Sequence, residues 1–177
     1  MKLFDASGWS WLSCLLLFFH VPAGERQVKE SAVTFRISNA GFAVNGTLAG
    51  LEATVRFDPA HLSQATIRAS VPVSSIRTGI GLRDQHLQKP DYFDAQKFPL
   101  ITLQSVSFRA TGPAQYEGLF TLTMKGISRP VKLPFTVSAT NKFRGELRVN
   151  RLDFGVGKKS LVLADEVSIR LVLTKSG

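Results

Sequence analysis

The stretch QYEGLFTLTMKGISRPVKLPFTV, residues 115–137, places apolar side chains at every second position on either side of one break. Tyr116, Gly118, Phe120, Leu122 and Met124 share one parity before the break, and Val131, Leu133, Phe135 and Val137 share one after it. A period of two marks a strand with one buried face, whereas a helix repeats every three or four residues. The break reads as a turn at Ser128-Arg129-Pro130, because proline cannot donate to a ladder. Two such strands with a short connection imply an antiparallel hairpin.

The same pattern runs outward in both directions. Val33, Phe35 and Ile37 alternate with polar residues, as do Phe42, Val44, Gly46 and Leu48, then Val55 and Phe57. Ile67, Ala69, Val71 and Val73 follow, and later Phe143, Gly145, Leu147 and Val149, then Val167, Ile169, Leu171 and Leu173. Between Leu103 and Val106 the parity slips, which predicts a β-bulge. Further turns are expected at Asn39-Ala40-Gly41, Asp58-Pro59 and Thr111-Gly112-Pro113. This gives about eight or nine strands in a meander, and a sheet of that size hides its apolar face by closing on itself. The expected fold is all-β: an eight-stranded antiparallel barrel, with an interior just wide enough for packed side chains or one slender ligand. Gly46, Gly118 and Gly145 fall on the interior parity, where barrel-corner kinks are the plain account. Apolar-in and polar-out, with short strands and no aromatic girdles, argues against an outer-membrane barrel.

One segment breaks the alternation. In TGIGLRDQHLQKPDYFDAQKFP, residues 78–99, Arg83, Asp84, His86, Lys89, Asp91 and Asp94 crowd between aromatics. A short helix near 79–88 is expected after the fourth strand, then a second helical turn with Asp91 as its N-cap. Such an insertion would lie over one end of the barrel. Leu87, Tyr92, Phe93 and Phe98 give it an inward apolar side, and Arg83, Asp84 and His86 either lock it or meet a ligand's headgroup.

The first residues read as an export signal covering 1–23. Lys2 forms a short basic start, weakened by Asp5; Trp9 to Val21 is apolar, and Val21-Pro22-Ala23 suits cleavage after Ala23. The apolar run is short for a bilayer span, although an uncleaved anchor is the competing reading. Cys14 is the single cysteine of the chain and lies inside this run. The remaining domain, 24–177, would then have no disulfide and no thiol nucleophile. Removing the signal takes away Lys2 and Asp5, so the formal charge of the chain stays +9. That charge suits anionic lipid, envelope polymer or nucleic acid as partner, or simply a basic surface.

Catalytic chemistry lacks its parts. Asp84 and His86 could supply a base and its orienting group, yet no serine stands in a nucleophile elbow to complete the set. His61 and His86 belong to no metal-ligand spacing, and no motif calls for a cofactor. Gly155-Val156-Gly157-Lys158-Lys159-Ser160 fails the phosphate-loop pattern, since Lys159 occupies the hydroxyl position; it reads as a Gly-rich hairpin with two exposed lysines. Aromatic and basic residues fall on opposite parities, against a single-strand nucleic-acid binder.

Taken together, the motifs resemble those of the YceI family of exported bacterial proteins, the polyisoprenoid-binding-like domain. The matching pieces include Ser75-Ile76-Arg77-Thr78-Gly79, Arg83-Asp84-x-His86-Leu87, Asp91-Tyr92-Phe93-Asp94 and Lys97-Phe98-Pro99. Lys125-Gly126-Ile127-Ser128-Arg129-Pro130-Val131 and Asn150-Arg151-Leu152-Asp153-Phe154-Gly155-Val156-Gly157 follow in order. Met124-Lys125 and Leu119-Phe120 depart from the pairs common in the family. The resemblance implies a lipocalin-like barrel holding an isoprenoid or fatty-acyl lipid, a periplasmic address, no catalysis, no integral span in the mature form and frequently a homodimer. The residues themselves agree with a tube lined by Phe35, Phe42, Val71, Phe120, Leu122, Phe135 and Leu147, where each buried CH2 is worth about 0.8 kcal/mol. A rim of Arg83, Lys89, Arg129 and Lys158 would suit an anionic head. The alternative is a filled core, acting as a stress-response or adaptor domain through its basic surface.

Overall fold

Alternating apolar residues become a single sheet in which every hydrogen-bonded neighbour is antiparallel. This computed structural model of the chain describes residues 26–175, so the export segment and its cut after Ala23 lie outside the described residues. Nine strands follow in order: β1 (Arg26–Asn39), β2 (Phe42–Leu48), β3 (Glu52–Arg56), β4 (Thr66–Pro72), β5 (Leu100–Gly112), β6 (Gln115–Met124), β7 (Ile127–Val137), β8 (Lys142–Asn150) and β9 (Glu166–Lys175). The helical insertion after β4 is α1 (Gly81–Leu87).

Nine strands occupy eight positions in the ring. Val33 of β1 faces Leu48 of β2, and Gln27 of β1 faces Thr54 of β3. The register crosses the gap between β2 and β3 without gaining or losing a residue. The two strands are thus halves of one long strand, bent at Gly50, whose φ of +70° suits glycine. On its other edge β1 pairs with β9, which closes the barrel.

The opening hairpin forms, but its turn lies elsewhere. Lys125 and Gly126 make a two-residue connection with φ of +49° and +74°, and Ser128, Arg129 and Pro130 lie inside β7. Both central residues at positive φ match the turn that the twist of antiparallel strands prefers. Pro130 is tolerated because its partner Thr121 lies across the β6 side, while the opposite edge of β7 carries no ladder there. The β7–β8 ladder stops at Phe135 opposite Gly145. The next residue, Pro134, has no N–H to offer, and Pro130 removes another donor further along. The wall therefore splits between β7 and β8. A short 3₁₀ turn, Arg151–Phe154, occupies the split with Phe154 buried, and Lys125 Nζ donates to the Gly155 carbonyl at 2.7 Å.

Inside, the two ends of the barrel differ. Away from the insertion, Phe57 meets Phe108, Tyr116, Phe135 and Phe143 edge-on, with ring centroids 5.5, 5.0, 5.6 and 5.5 Å away. These rings form a packed floor. The expected bulge in β5 lies between Ser105 and Ser107. Gly46 is a seat rather than a kink: the Phe35 ring lies across it, and a Cβ there would stand 2.1 Å from ring carbon Cζ. Gly118 likewise makes room for the Phe120 ring. Outside, Arg109 pairs with Glu117 and Arg170 with Glu146, exposed contacts of little weight in stability.

The floor's importance is measurable. Phe57→Ala removes the ring at the centre of the cluster and is expected to cost about 3–5 kcal/mol in denaturant unfolding. A loss below about 1 kcal/mol would show that the floor collapses around the gap.

Candidate functional site

Because successive strands reverse direction, the β1–β2 turn, segment 73–99, the Lys125-Gly126 turn and segment 151–165 gather at one end of the barrel. Beneath them lies a cavity of about 280 Å³. Phe35, Val71, Phe120, Leu122 and Phe135 line its walls, and Leu87 and Phe93 line it from the insertion. Arg83 and His86 reach it too. The interior is therefore filled at the floor and hollow above it, neither a fully packed core nor a tube open at both ends.

Three expected site residues fall elsewhere. Phe42 has the inward parity but begins β2 directly after the turn, above the rim, and is 78% exposed. Phe98 is absent from the cavity wall; its ring fills the space over Gly126, with Lys97 Nζ 5.2 Å from its centroid. Asp84 is buried within the insertion, not in the cavity. Its Oδ1 accepts from the backbone N–H of Thr78 at 2.8 Å and from the Thr78 hydroxyl. Arg83 completes the knot, donating from Nε to Thr78 Oγ1 and from Nη2 to the Thr78 carbonyl, both at 2.7 Å. Asp84 and Arg83 thus lock the lid through Thr78. His86 takes no part in that knot, and instead meets Tyr92 with ring centroids 5.0 Å apart.

The lid after α1 differs from expectation. No second helical turn starts at Asp91; a series of turns runs on, with Asp94 at a φ of +51°. The Asp91 carbonyl accepts from the Gly157 N–H at 2.9 Å, which fastens the lid to segment 151–165.

That segment is organised by Arg151, 4% exposed, which no expectation above assigned a role. Its Nε donates to the Ala164 carbonyl, Nη1 to Val156 and Nη2 to Lys158, each at 2.9 Å. Nη2 also pairs with the Asp165 carboxylate at 2.9 Å. Instead of a hairpin, residues 155–160 form part of a loop wrapped round a guanidinium. A planar fork of N–H donors reaches carbonyls on several sides at fixed angles, where an ammonium offers its three donors from a single point. The signal was present in the sequence: Arg151 continues the inward parity of Phe143, Gly145, Leu147 and Val149 one step past the end of β8.

A second, more polar cavity of about 400 Å³ adjoins the first and shares Asn39, His86, Tyr92 and Leu163 with it. Lys158, Lys159 and Ser160 line it, with Asp91 as its acidic member. Of the expected basic rim, Lys158 is here and Arg83 lies deeper. Arg129 is engaged by the Asp153 carbonyl, and Lys89 lines neither cavity. The arrangement offers an apolar chamber reached through a basic vestibule.

Comparison with known proteins agrees with this architecture. The family model described as a YceI-like domain matches residues 26–174. A UPF0312 protein of Pseudomonas fluorescens is 30% identical over 147 residues, 74% of each chain. The crystal structure of Burkholderia cenocepacia BcnA is similar with a TM-score of 0.79 and 29% identity, covering 82% of this chain and 96% of that one. A polyisoprenoid binding domain from Saccharophagus degradans, implicated in plant cell wall breakdown, shares the fold with a TM-score of 0.67 at 13% identity, over 87% of this chain and 98% of that one.

Two substitutions test how the mouth is built. Arg151→Met leaves buried carbonyls and Asp165 without their partner and is expected to cost about 3–5 kcal/mol, with Arg151→Lys recovering only part. Equal denaturation midpoints for Arg151→Met and the native chain would refute the clamp. Asp84→Ala strands the N–H and hydroxyl of buried Thr78, at about 1–3 kcal/mol for each group. Hydrogen exchange should then quicken at amides of residues 78–88 while those of β6 keep their protection.

Proposed function

The chain belongs to the YceI-like domain family, and from that premise we propose that it is an exported, non-enzymatic binder or carrier of a long-chain amphiphile, an isoprenoid or fatty-acyl lipid. The observation that carries this reading is the apolar chamber with a closed floor and one basic mouth. A tail enters from the lid end and stops against Phe120 and Phe135, while its head stays beside His86, Lys158 and Lys159. The name of the Saccharophagus degradans domain, a polyisoprenoid binding domain, supports the same ligand class. The chamber lies near the lower end of small-molecule pockets, which span roughly 300–1,000 Å³.

Transfer of a chain of about ten CH2 groups supplies on the order of 8 kcal/mol before the costs of ordering the ligand are subtracted. That suits reversible carriage. Catalysis finds no support in the geometry of its best candidates: the Asp84 carboxylate is committed to Thr78, and the His86 ring packs against Tyr92. Export rests on the basic start, apolar run and Val21-Pro22-Ala23 of the first residues.

Native mass spectrometry of protein recovered from its producing bacterium should find a lipid-sized adduct on a chain beginning at Gly24. Ala69 lines the chamber, so Ala69→Trp should fill it and abolish the adduct while leaving the fold intact. An adduct-free native protein that takes up neither prenyl nor acyl lipid on incubation would end this reading.

A further inference from the structure

The loop that frames the mouth carries apolar residues that none of the described residues covers. Leu161 is fully exposed, Val162 is 57% exposed, and Phe42 is 78% exposed. These residues are held in place. The Ala40 N–H donates to the Val162 carbonyl at 2.7 Å, and Asn39 forms a bridge with Leu163. The Ala164 N–H donates to Ser38, and Ser160 Oγ accepts from the N–H groups of Val162 and Leu163. Phe42 faces Asn39 across the β1–β2 turn, so the turn and the loop present one surface. Beneath it, the Arg151 guanidinium holds the Lys158 carbonyl. The apolar groups are thus displayed on a fastened support, not on a loose strand of chain.

Lys158 and Lys159 stand in the same loop, both exposed. Exposed apolar side chains immediately flanked by lysines are the composition of segments that lie in a membrane interface. The cations meet lipid phosphates there, and the apolar tips enter the acyl boundary. We propose that the mouth of the barrel docks on an anionic lipid bilayer through Phe42, Leu161 and Val162, with Lys158 and Lys159 against the headgroups. The formal charge of +9 favours such a surface at long range. Docked this way, the basic vestibule opens directly onto the bilayer, so an amphiphile exchanges between membrane and chamber without crossing water. Docking itself stands on the surface alone, while the exchange rests on the function proposed above.

The test reads the loop and not the whole chain, because the apolar segment at residues 9–21 could itself adhere to lipid. In a full-length chain with Cys14→Ser, an environment-sensitive fluorophore is attached at Leu161→Cys, or at Ala139→Cys in the β7–β8 turn at the opposite end. Vesicles of phosphatidylcholine with phosphatidylglycerol are compared with phosphatidylcholine alone. The label at 161 should shift to the blue with the anionic vesicles and not with the neutral ones, while the label at 139 stays unchanged. Molar salt should reverse the shift. Adding Lys158→Glu and Lys159→Glu should weaken apparent affinity by about tenfold or more, in line with roughly 1 kcal/mol for each basic residue near an anionic surface. No shift at 161, equal shifts at both positions, or a shift indifferent to the charge reversals would overturn the proposal. So would a shift that grows with protein concentration in the absence of lipid, which marks a second copy as the occupant. Absence of a lipid adduct in the chamber would leave this readout unaffected, so the two readings fail separately.

Discussion

A guanidinium buried just past the end of a strand is the constraint around which the mouth of this barrel is arranged. Arg151 follows Val149 on the inward parity just past the end of β8, at the first residue of the 3₁₀ turn, and lines the chamber. A charge there is costly unless its donors all find partners. The chain meets that demand by bending residues 155–165 round the guanidinium, so that Val156, Lys158 and Ala164 present carbonyls and Asp165 a carboxylate. The shape of that loop then decides the rest. It sets Gly157 where the lid's Asp91 can accept its N–H, and it carries Leu163 to the β1–β2 turn. Lid, loop and turn are three separate stretches of sequence fastened to one buried cation.

The hollow upper half depends on features of the wall as well. Pro130 and Pro134 withhold two backbone donors from the free edge of β7, and the β7–β8 ladder ends where they begin. A split wall would admit water, but the Arg151–Phe154 turn occupies it with Phe154 buried. Prolines on that edge also deny it to a foreign strand, which is how natural sheets protect unpaired edges. One short turn thus seals the wall, positions the guanidinium and begins the loop of the mouth.

Much of this was legible from alternation alone. Parity identified the inward face of β4 and β6, and with it Val71, Phe120 and Leu122 as chamber residues. Parity assigns a face, however, and not a height along the barrel axis. Phe42 points the right way but emerges above the rim, and Phe57 points the right way but lies in the floor. In the opening stretch Pro130 reads as a strand breaker and draws the expected turn to itself, whereas an edge with no ladder tolerates it inside β7. Spacing leaves Asp84 either locking the lid or meeting a headgroup, since it does not reveal that the carboxylate turns back to the N–H of Thr78. Arg151 was the converse: its parity marked it as buried, and a buried arginine with many carbonyls to gather is a structural centre. The family motif contained it without showing its part.

The division of the interior has an energetic logic. A void lined by apolar side chains forfeits contacts at about 24 cal/mol per Å³, so a chamber near 280 Å³ represents on the order of 7 kcal/mol of missing packing. Small domains are stable by only about 5–15 kcal/mol in total, so such a void must be offset elsewhere. Here the offset lies at the two ends. The Phe57 cluster packs the floor densely, and the Arg151 clamp with the Thr78–Asp84–Arg83 knot satisfies the polar groups of the mouth. These devices border the chamber, through Phe135 below and Arg83 and Arg151 above, while the walls between are lined by side chains such as Phe35, Val71 and Leu122 that lack full contact. An apolar tail inserted there restores contacts to walls already held in position, and little of its transfer energy is consumed in rearranging them. A chamber of this kind is preorganised by its ends, and its affinity for a tail follows from the packing its walls lack.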